Sequence, residues 1–145
     1  MKDNTKILKE TSVKVEFRPS TVSEYKRLRR LVGWPETEDG PTEKALRNSL
    51  FSVVATEQDT VLGIGRVIGD GGLYFYIQDL IVHPDFQGKG IGTSLMSYLM
   101  EHIMANAKSG AFIGLMAAKG LDAFYERYGF RTRHWDSPGM YRRIK

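Results

Sequence analysis

The sequence predicts a mixed α/β fold, in which a β meander leads through a glycine-rich loop into a helix. Three observations predict it. The hydrophobic period changes at Phe51, from helical spacing before it to β-rich runs after it. Three such runs, 51–57, 61–68 and 73–82, are separated by short turn sequences, which favours antiparallel pairing. The loop 87–92 then joins the last run to a helical pattern.

Before the meander, the sequence predicts a strand and two helices. Apolar and polar residues alternate in VKVEF, 13–17, which indicates a strand. Thr21 and Glu24 have the spacing of a capping box, and an apolar stripe follows them up to the stop at Gly33. A second, short helix is expected around 42–49.

After the glycine loop, the pattern predicts a long helix, a strand and a short helix. Leu95 and Leu99 fall on one broad apolar face of the helix expected over 93–107. The run AFIGLM, 111–116, is typical of a strand, and LDAFYERYGF is typical of a helix ended by Gly129. The turn sequence DSPG is expected to join two last short strands.

Length and composition predict one domain, 1–145. Of the 145 residues, 41% are hydrophobic and 26% are charged, as in ordinary globular domains. No apolar run approaches the roughly 20 residues that span a bilayer, so no membrane partner is expected. The absence of cysteine excludes disulfides and thiolate chemistry, and it fits a cytoplasmic location. The net charge of +4 is mild and accompanies no nucleic-acid-binding motif, so no nucleic-acid partner is expected.

The loop QGKGIG, 87–92, is the most informative stretch for function. It lacks the G-x-x-x-x-G-K-[ST] spacing of a P-loop and the G-x-G-x-x-G spacing of a dinucleotide loop. Amides at Gly88, Gly90 and Gly92 could still surround an anion at the positive end of a helix. The alternative is a tight turn that binds nothing, but three glycines around Lys89 favour anion binding.

This loop resembles the coenzyme A pyrophosphate motif of the GCN5-related N-acetyltransferases (GNAT family), which is Q/R-x-x-G-x-G/A between a strand and a long helix. Gln87, Gly90 and Gly92 stand at its defined positions. The stretch AFYERYGF, 123–130, is similar to a second motif of the family, a helix ending in F-Y-x-x-x-G-F. The motifs stand in the family's order, and the resemblance covers nearly the whole chain from Val13.

The resemblance implies the GNAT fold, an α/β (α+β) arrangement in which helices flank a mixed central sheet with a splayed pair of parallel strands. Here these strands would be 73–82 and 111–116, with acetyl-CoA in the opening between them. An amide near Ile81 would be directed toward the thioester carbonyl. The residues that the resemblance implies as acetyl-CoA contacts are Leu80, Ile81, Val82, Gln87, Gly88, Lys89, Gly90, Ile91, Gly92, Thr93, Phe124 and Tyr125.

The resemblance also implies direct attack of a neutral amine on the thioester, with two candidate catalytic residues. Tyr125 matches the tyrosine that protonates the departing thiolate in many members; the alternative is a core aromatic residue on an amphipathic helix. Asp79 interrupts an apolar strand near the point where some members place an acidic base. The alternatives are a structural carboxylate bonded to loop amides, and a base that is only a water chain.

The sequence departs from the family pattern at one point. Many members carry an asparagine before the second motif that bonds the pantetheine arm, and the corresponding stretch LMAAKGLDAF has none.

No metal is expected, because the three histidines, His83, His102 and His134, are far apart in the sequence.

The acceptor is predicted to be a small primary amine. The acidic residues of 35–43 would attract a cationic amine, and rings at Trp34, Tyr74 and Tyr76 would suit an arylalkyl amine. Both sets could equally be surface and core residues. The alternatives are a peptide or protein N-acetyltransferase and a non-catalytic acetyl-CoA sensor. Analogy with small family members adds a homodimer as a further expectation.

Overall fold

The computed structural model describes residues 5–7 and 12–145, which contain a six-stranded sheet with its strands in chain order. The strands are β1 (Thr5–Ile7), β2 (Lys14–Glu16), β3 (Phe51–Glu57), β4 (Thr60–Gly69), β5 (Tyr74–Val82) and β6 (Phe112–Gly114). The helices are α1 (Val22–Leu31), α2 (Asp39–Arg47), α3 (Ile91–Asn106) and α4 (Asp122–Glu126). Pairing is antiparallel from β1 to β5 and parallel between β5 and β6. A parallel pair needs a crossover, and α3 supplies it.

The predicted meander is confirmed as β3, β4 and β5, and the strand predicted over 13–17 is β2. The capping box of α1 is also present: the Glu24 amide donates to Thr21 Oγ1, and the Thr21 amide donates to the Glu24 carboxylate. These elements follow from local sequence because their stabilising contacts lie within a few residues.

Two helices begin earlier than predicted. α2 begins at Asp39 rather than near Thr42, because Pro41 is accommodated in the first turn, where no amide donor is needed. α3 begins at Ile91 rather than at 93, directly after Gly90 as its N-cap. None of the helices in the described part of the chain is long and apolar enough to cross a membrane.

Helices cover both faces of the sheet within residues 12–115. On one face, Tyr25 and Leu28 of α1 and Leu46 of α2 are buried against the sheet. The core residues of the sheet on that face are Val54, Val61, Ile64 and Ile81. This packing places α1 directly over β4 and β5.

Two glycines let α3 approach the other face closely. A Cβ atom at Gly63 would lie 2.9 Å from Leu95 Cδ1, and one at Gly65 would lie 2.9 Å from Leu99 Cδ1. Both leucines are fully buried, so the apolar face predicted for the helix is confirmed. The glycines of VLGIGRVI therefore have a packing role.

The chain divides into two compact units, Met1–Leu115 with the sheet and Met116–Lys145 with α4. The two short strands predicted around DSPG are wrong, because no strand is found within 115–145. An isolated pair of strands is at best marginally stable unless it joins a sheet or packs on a helix. The turn sequence DSPG does not indicate whether such a partner exists. β6 is also shorter than the predicted 111–116. A single domain, 1–145, stays a prediction.

Candidate active site

β5 has an open edge over most of its length. Its parallel pairing with β6 joins Tyr74–Tyr76 to Phe112–Gly114 and goes no further. The predicted parallel pair is therefore present, and from Ile77 to Val82 no strand of the described chain pairs with this edge. Backbone groups along such an edge can bond an extended ligand.

Strand alternation indicates which amides face the open edge. The His83 amide donates to the Leu62 carbonyl at 2.7 Å, so His83 faces β4. Successive residues of a strand direct their backbone groups to opposite sides. The amides of Leu80 and Val82 therefore face the open edge, whereas that of Ile81 faces β4. An amide near Ile81 that reaches a ligand on the open edge would be one of these two neighbours.

A β-bulge lies just before these amides. The register of β4 against β5 shifts between Ile64 and Arg66, so that Gly65 opposes two residues, Asp79 and Leu80. Asp79 has a φ of +57°, in the left-handed region. Holding a non-glycine residue there costs about 1–3 kcal/mol, although aspartate visits the region more readily than most residues. Other contacts must offset that cost.

The Asp79 carboxylate is buried and accepts four hydrogen bonds. Oδ1 accepts from Gln78 Nε2 at 2.9 Å and from Arg29 Nη1 at 3.4 Å. Oδ2 accepts from the Tyr25 hydroxyl at 2.8 Å and from Arg66 Nε at 2.9 Å. A carboxylate has about four acceptor sites, so all are occupied. These contacts favour the structural alternative, with side chains rather than loop amides as partners, and the role as proton acceptor stays a prediction.

The glycine loop presents backbone donors beside open space. Gly88 and Gly90 have φ values of +78° and +84°, and apart from each glycine and its two chain neighbours no atom lies within 4 Å of the position of a Cβ at either residue. α3 begins after Gly90 with neither a side-chain cap nor an acidic residue in its first turn. The first amides of a helix lack intrahelical acceptors and attract anions. This geometry fits a pyrophosphate group.

Side chains hold the loop against the end of β5. Gln87 Nε2 donates to the Val82 carbonyl at 3.1 Å. Lys89 Nζ lies 5.1 Å from the centroid of the Phe86 ring, which keeps its charge at the loop. The predicted contacts from Leu80 to Thr93 thus lie on one strand–turn–loop–helix segment, whose 3₁₀ turn is Pro84–Phe86. Phe124 and Tyr125 belong to the second unit.

Tyr125 lies on α4 and is 7% exposed. Its ring centroid is 5.0 Å from that of Phe124 and 6.3 Å from that of Phe130. Burial raises the pKa of Tyr125 above its ordinary value of 10.0, so the phenol is protonated at neutral pH and can donate. This environment suits both a proton donor and a core aromatic residue. The catalytic role of Tyr125 stays a prediction.

Three of the four acidic residues considered for the acceptor have cationic neighbours. The pairs are Glu36–Arg30 at 2.9 Å, Asp39–Lys26 at 2.7 Å and Glu43–Arg47 at 3.9 Å. Their charge is partly neutralised, which weakens the argument for a cationic acceptor. Among the rings, Trp34 lies 5.3 Å from the Arg29 guanidinium, whereas Tyr74 is 59% exposed.

Sequence reasoning missed the cations around Asp79. Arg66 interrupts β4 as Asp79 interrupts β5, and opposite charges in neighbouring apolar strands could have indicated a buried pair. Tyr25 fits the apolar stripe of α1, and its ring does lie in the core while its hydroxyl reaches the carboxylate. Arg29 has no comparable signal, because its charge is typical of a helix surface. No cluster of three metal-ligating side chains is found in the parts of the chain that the structure describes.

Comparisons with known proteins agree with this geometry. The sequence profile of the acetyltransferase (GNAT) domain matches residues 48–132. The uncharacterized N-acetyltransferase ycf52-like of Prochlorococcus marinus is 32% identical over 124 residues, which are 83% of this chain and 68% of that protein. Protein SA2161 from meticillin-resistant Staphylococcus aureus has a TM-score of 0.86 and 35% identity, covering 91% of this chain and 99% of that one. The GNAT family protein SP0256 from Streptococcus pneumoniae has a TM-score of 0.74 and 29% identity, covering 92% of this chain and 98% of that one. The chain belongs to the GNAT family and is an N-acetyltransferase.

Proposed function

We propose that this chain transfers the acetyl group of acetyl-CoA to a small primary amine. One observation carries the proposal: the open edge of β5 runs directly into the glycine loop. One segment, 80–93, therefore offers backbone groups first to an extended ligand and then to an anion. Acetyl-CoA has its groups in this order, from the thioester through the pantetheine arm to the pyrophosphate, and the GNAT family generally uses it.

Donor binding would use the loop and the strand together. Amides from Gly88 to Gly92 would bond the pyrophosphate, with Lys89 adding positive charge. The open edge of β5 would bond the pantetheine arm. The amide of Leu80 or Val82 would bond the thioester oxygen, which becomes negative when the tetrahedral intermediate forms. A fixed donor at such an oxygen is worth about 2.7–4 kcal/mol.

The proposed reaction is direct transfer. The amine lone pair attacks the thioester carbonyl, and the C–S bond breaks when the tetrahedral intermediate collapses. The nitrogen loses a proton and the sulfur gains one, so the products are an acetamide and free CoA thiol. Tyr125 would donate the proton to sulfur, a step worth about 10²–10⁴-fold. Because the Asp79 oxygens are fully bonded, a water chain is the better candidate to take the proton of the amine.

A peptide or protein N-acetyltransferase is the second candidate, and one relative favours it. Histone acetyltransferase TAP1 of Glycine max is 28% identical over 121 residues, which are 76% of this chain and 52% of that protein. A small amine is preferred because the helices and strands from β2 to β6 follow one another without an extended, groove-forming insertion.

An acceptor panel tests the proposal. The protein is incubated with acetyl-CoA and with polyamines, aminosugars, arylalkylamines or peptides, while free thiol and the mass of the acceptor are followed. We expect thiol release above the hydrolysis background and an acetylated product with one class of small amine. Release only with peptides would select the second candidate. Binding of acetyl-CoA without release for any acceptor would indicate a non-catalytic sensor.

We also propose that the protein is a homodimer. The support is a set of large apolar side chains in the second unit, each at least 79% exposed, namely Trp135, Met140, Tyr141 and Ile144. Exposed apolar groups of this size often mark contact surfaces, and a two-fold axis lets two copies bury the same surface. A cytoplasmic location, expected from the cysteine-free sequence, likewise stays a proposal.

A further inference from the structure

Asp79 combines a left-handed backbone, burial and an ionisable side chain. It is 3% exposed, with a φ of +57°. Gln58 and Asp59 also have positive φ, but both lie exposed in the turn between β3 and β4. A buried carboxylate is unfavourable without compensating donors, and a left-handed aspartate adds strain. The combination indicates that the contacts around Asp79 hold it in this conformation.

The donors that surround the Asp79 carboxylate come from three elements. Tyr25 and Arg29 lie one turn apart on α1, Arg66 lies on β4, and Gln78 precedes Asp79 on β5. The side chains of both arginines are only 12% exposed. Burial, together with the charge and hydrogen bond of Asp79, raises the pKa of Tyr25, so its hydroxyl remains a donor.

The two arginines connect this carboxylate to the segments around it. Arg66 Nη1 donates to the Ala45 carbonyl at 3.3 Å and to Ser49 Oγ at 3.2 Å, near the end of α2. Arg29 Nη2 donates to the Pro35 carbonyl at 3.0 Å, in the loop between α1 and α2. A shift of the bulge would therefore disturb hydrogen bonds to α1, α2 and β4 together.

The bulge determines where the next amide points. The Leu80 N–H belongs to the peptide plane between Asp79 and Leu80, so the torsion angles of Asp79 set its direction. Strand alternation places this N–H on the open edge of β5. A change in the Asp79 conformation would therefore turn the Leu80 amide away from a ligand on that edge.

We propose that Asp79 is a positioning residue: its carboxylate, held by Tyr25, Arg29 and Arg66, keeps the bulge in the conformation that directs the Leu80 amide to the thioester oxygen. This inference rests on the proposed acetyl transfer. It differs from the proton-acceptor role, because the carboxylate acts through the backbone and exchanges no proton with the substrate. The arginines and Tyr25 then contribute to the same positioning as Asp79, each through its hydrogen bond to the carboxylate.

The test removes the donors while leaving Asp79 in place. Arg66→Gln deletes the charged donor to Oδ2, and Tyr25→Phe deletes a single hydroxyl while keeping the ring in the core. Arg66→Lys restores a positive donor without the forked geometry, so it should recover part of the loss. Asp59→Asn is the matched control, because it changes another left-handed aspartate that is exposed and far along the chain from the bulge.

Kinetics provides the first measurement. In Arg66→Gln we expect kcat to fall about 10²-fold, as it does when a reacting group is displaced. The Kd of CoA should stay unchanged, because CoA lacks the thioester that the Leu80 amide would bond. Tyr25→Phe should cause a smaller fall of the same kind, and the pH profile of the remaining activity should keep its shape. Wild-type kcat in both variants, with loss confined to Asp79→Asn, would overturn the proposal and favour the proton-acceptor role.

Hydrogen–deuterium exchange provides a measurement that needs no turnover. The peptide spanning 77–83 should exchange faster in Arg66→Gln and in Tyr25→Phe than in the wild type, and Asp59→Asn should leave it unchanged. Unchanged exchange in Tyr25→Phe and Arg66→Gln would overturn the positioning role even if acetyl transfer is confirmed. If the two variants exchange faster but the protein acetylates no acceptor, the stabilisation of the bulge by the Asp79 contacts is supported and the proposed acetyl transfer is contradicted.

Discussion

At the scale of the residue, Tyr25 and Tyr125 are both buried, and burial raises the pKa of each. Their surroundings differ. The Tyr25 hydroxyl donates to a carboxylate 54 residues away in the chain, whereas the Tyr125 ring lies against two phenylalanine rings. A tyrosine side chain therefore stabilises a buried carboxylate at position 25 and is a candidate proton donor at position 125, and the neighbouring side chains determine the difference.

Removing the Tyr125 hydroxyl should slow chemistry without weakening cofactor binding. For Tyr125→Phe we expect kcat to fall about 10²–10⁴-fold, because the thiolate would leave without its proton donor. The Kd of CoA and the melting temperature should change little, since the ring remains. Thiol release and calorimetric titration with CoA measure these quantities.

The proposed role of Tyr125 predicts the direction in which kcat changes with pH. A phenol donates only while protonated, and the raised pKa keeps Tyr125 protonated up to its ordinary value of 10.0 and beyond. Wild-type kcat should therefore show no loss from this group at neutral pH and should decline only at strongly alkaline pH. Tyr128→Phe, in the turn that follows the same helix, is the control and should retain turnover. Unchanged kcat in Tyr125→Phe would remove Tyr125 as the acid.

At the scale of the element, the glycine loop is a backbone conformation as well as a motif. Its left-handed residues, Gly88 and Gly90, are the two that a side chain would strain, and the space beside them is open. Gly92 differs, because its Cβ would make an ordinary 3.6 Å contact with Val82 Cγ2. The glycines of the motif therefore meet two different requirements: Gly88 and Gly90 adopt left-handed torsion angles, whereas Gly92 lies close to a side chain of β5.

A β-branched residue at Gly90 should abolish CoA binding. Gly90→Val places a side chain beside the helix amides and forces a φ of +84° on valine, so we expect no binding detectable by calorimetry. Gly110→Val is a matched control, since Gly110 has a φ of +91° and open space but lies in the turn before β6. It should lower the melting temperature and leave the Kd of CoA intact. Wild-type affinity in Gly90→Val would contradict our account of the loop.

At the scale of the whole molecule, the exposed apolar residues of the second unit lead to a prediction about assembly. We expect light scattering to give the mass of a dimer for the wild type and of a monomer for Trp135→Ser combined with Ile144→Ser. The physical reason is that each substitution removes apolar surface that association would bury. Asp59→Asn should remain dimeric. A monomeric wild type, or a dimer that survives the double substitution, would contradict the proposal.

The accuracy of the sequence predictions depended on the distance between interacting residues. The capping box at Thr21, the meander and the glycine loop are stabilised by close neighbours, and all were predicted. The helix predicted around 42–49 begins earlier, at Asp39, because Pro41 fits a first helical turn. The strands around DSPG were wrong because a turn sequence specifies a reversal of the chain and supplies no partner for it.

The sequence alone determined the order of the elements from β2 to α4 and the position of the glycine loop between β5 and α3, because hydrophobic period and glycine spacing are local properties. Only the tertiary structure decided the environment of Asp79. Its four donors come from α1, β4 and β5, and the bulge that directs the next amide is a matter of register between two strands. Contacts between residues distant in the chain depend on how the elements pack, which no short stretch of sequence specifies.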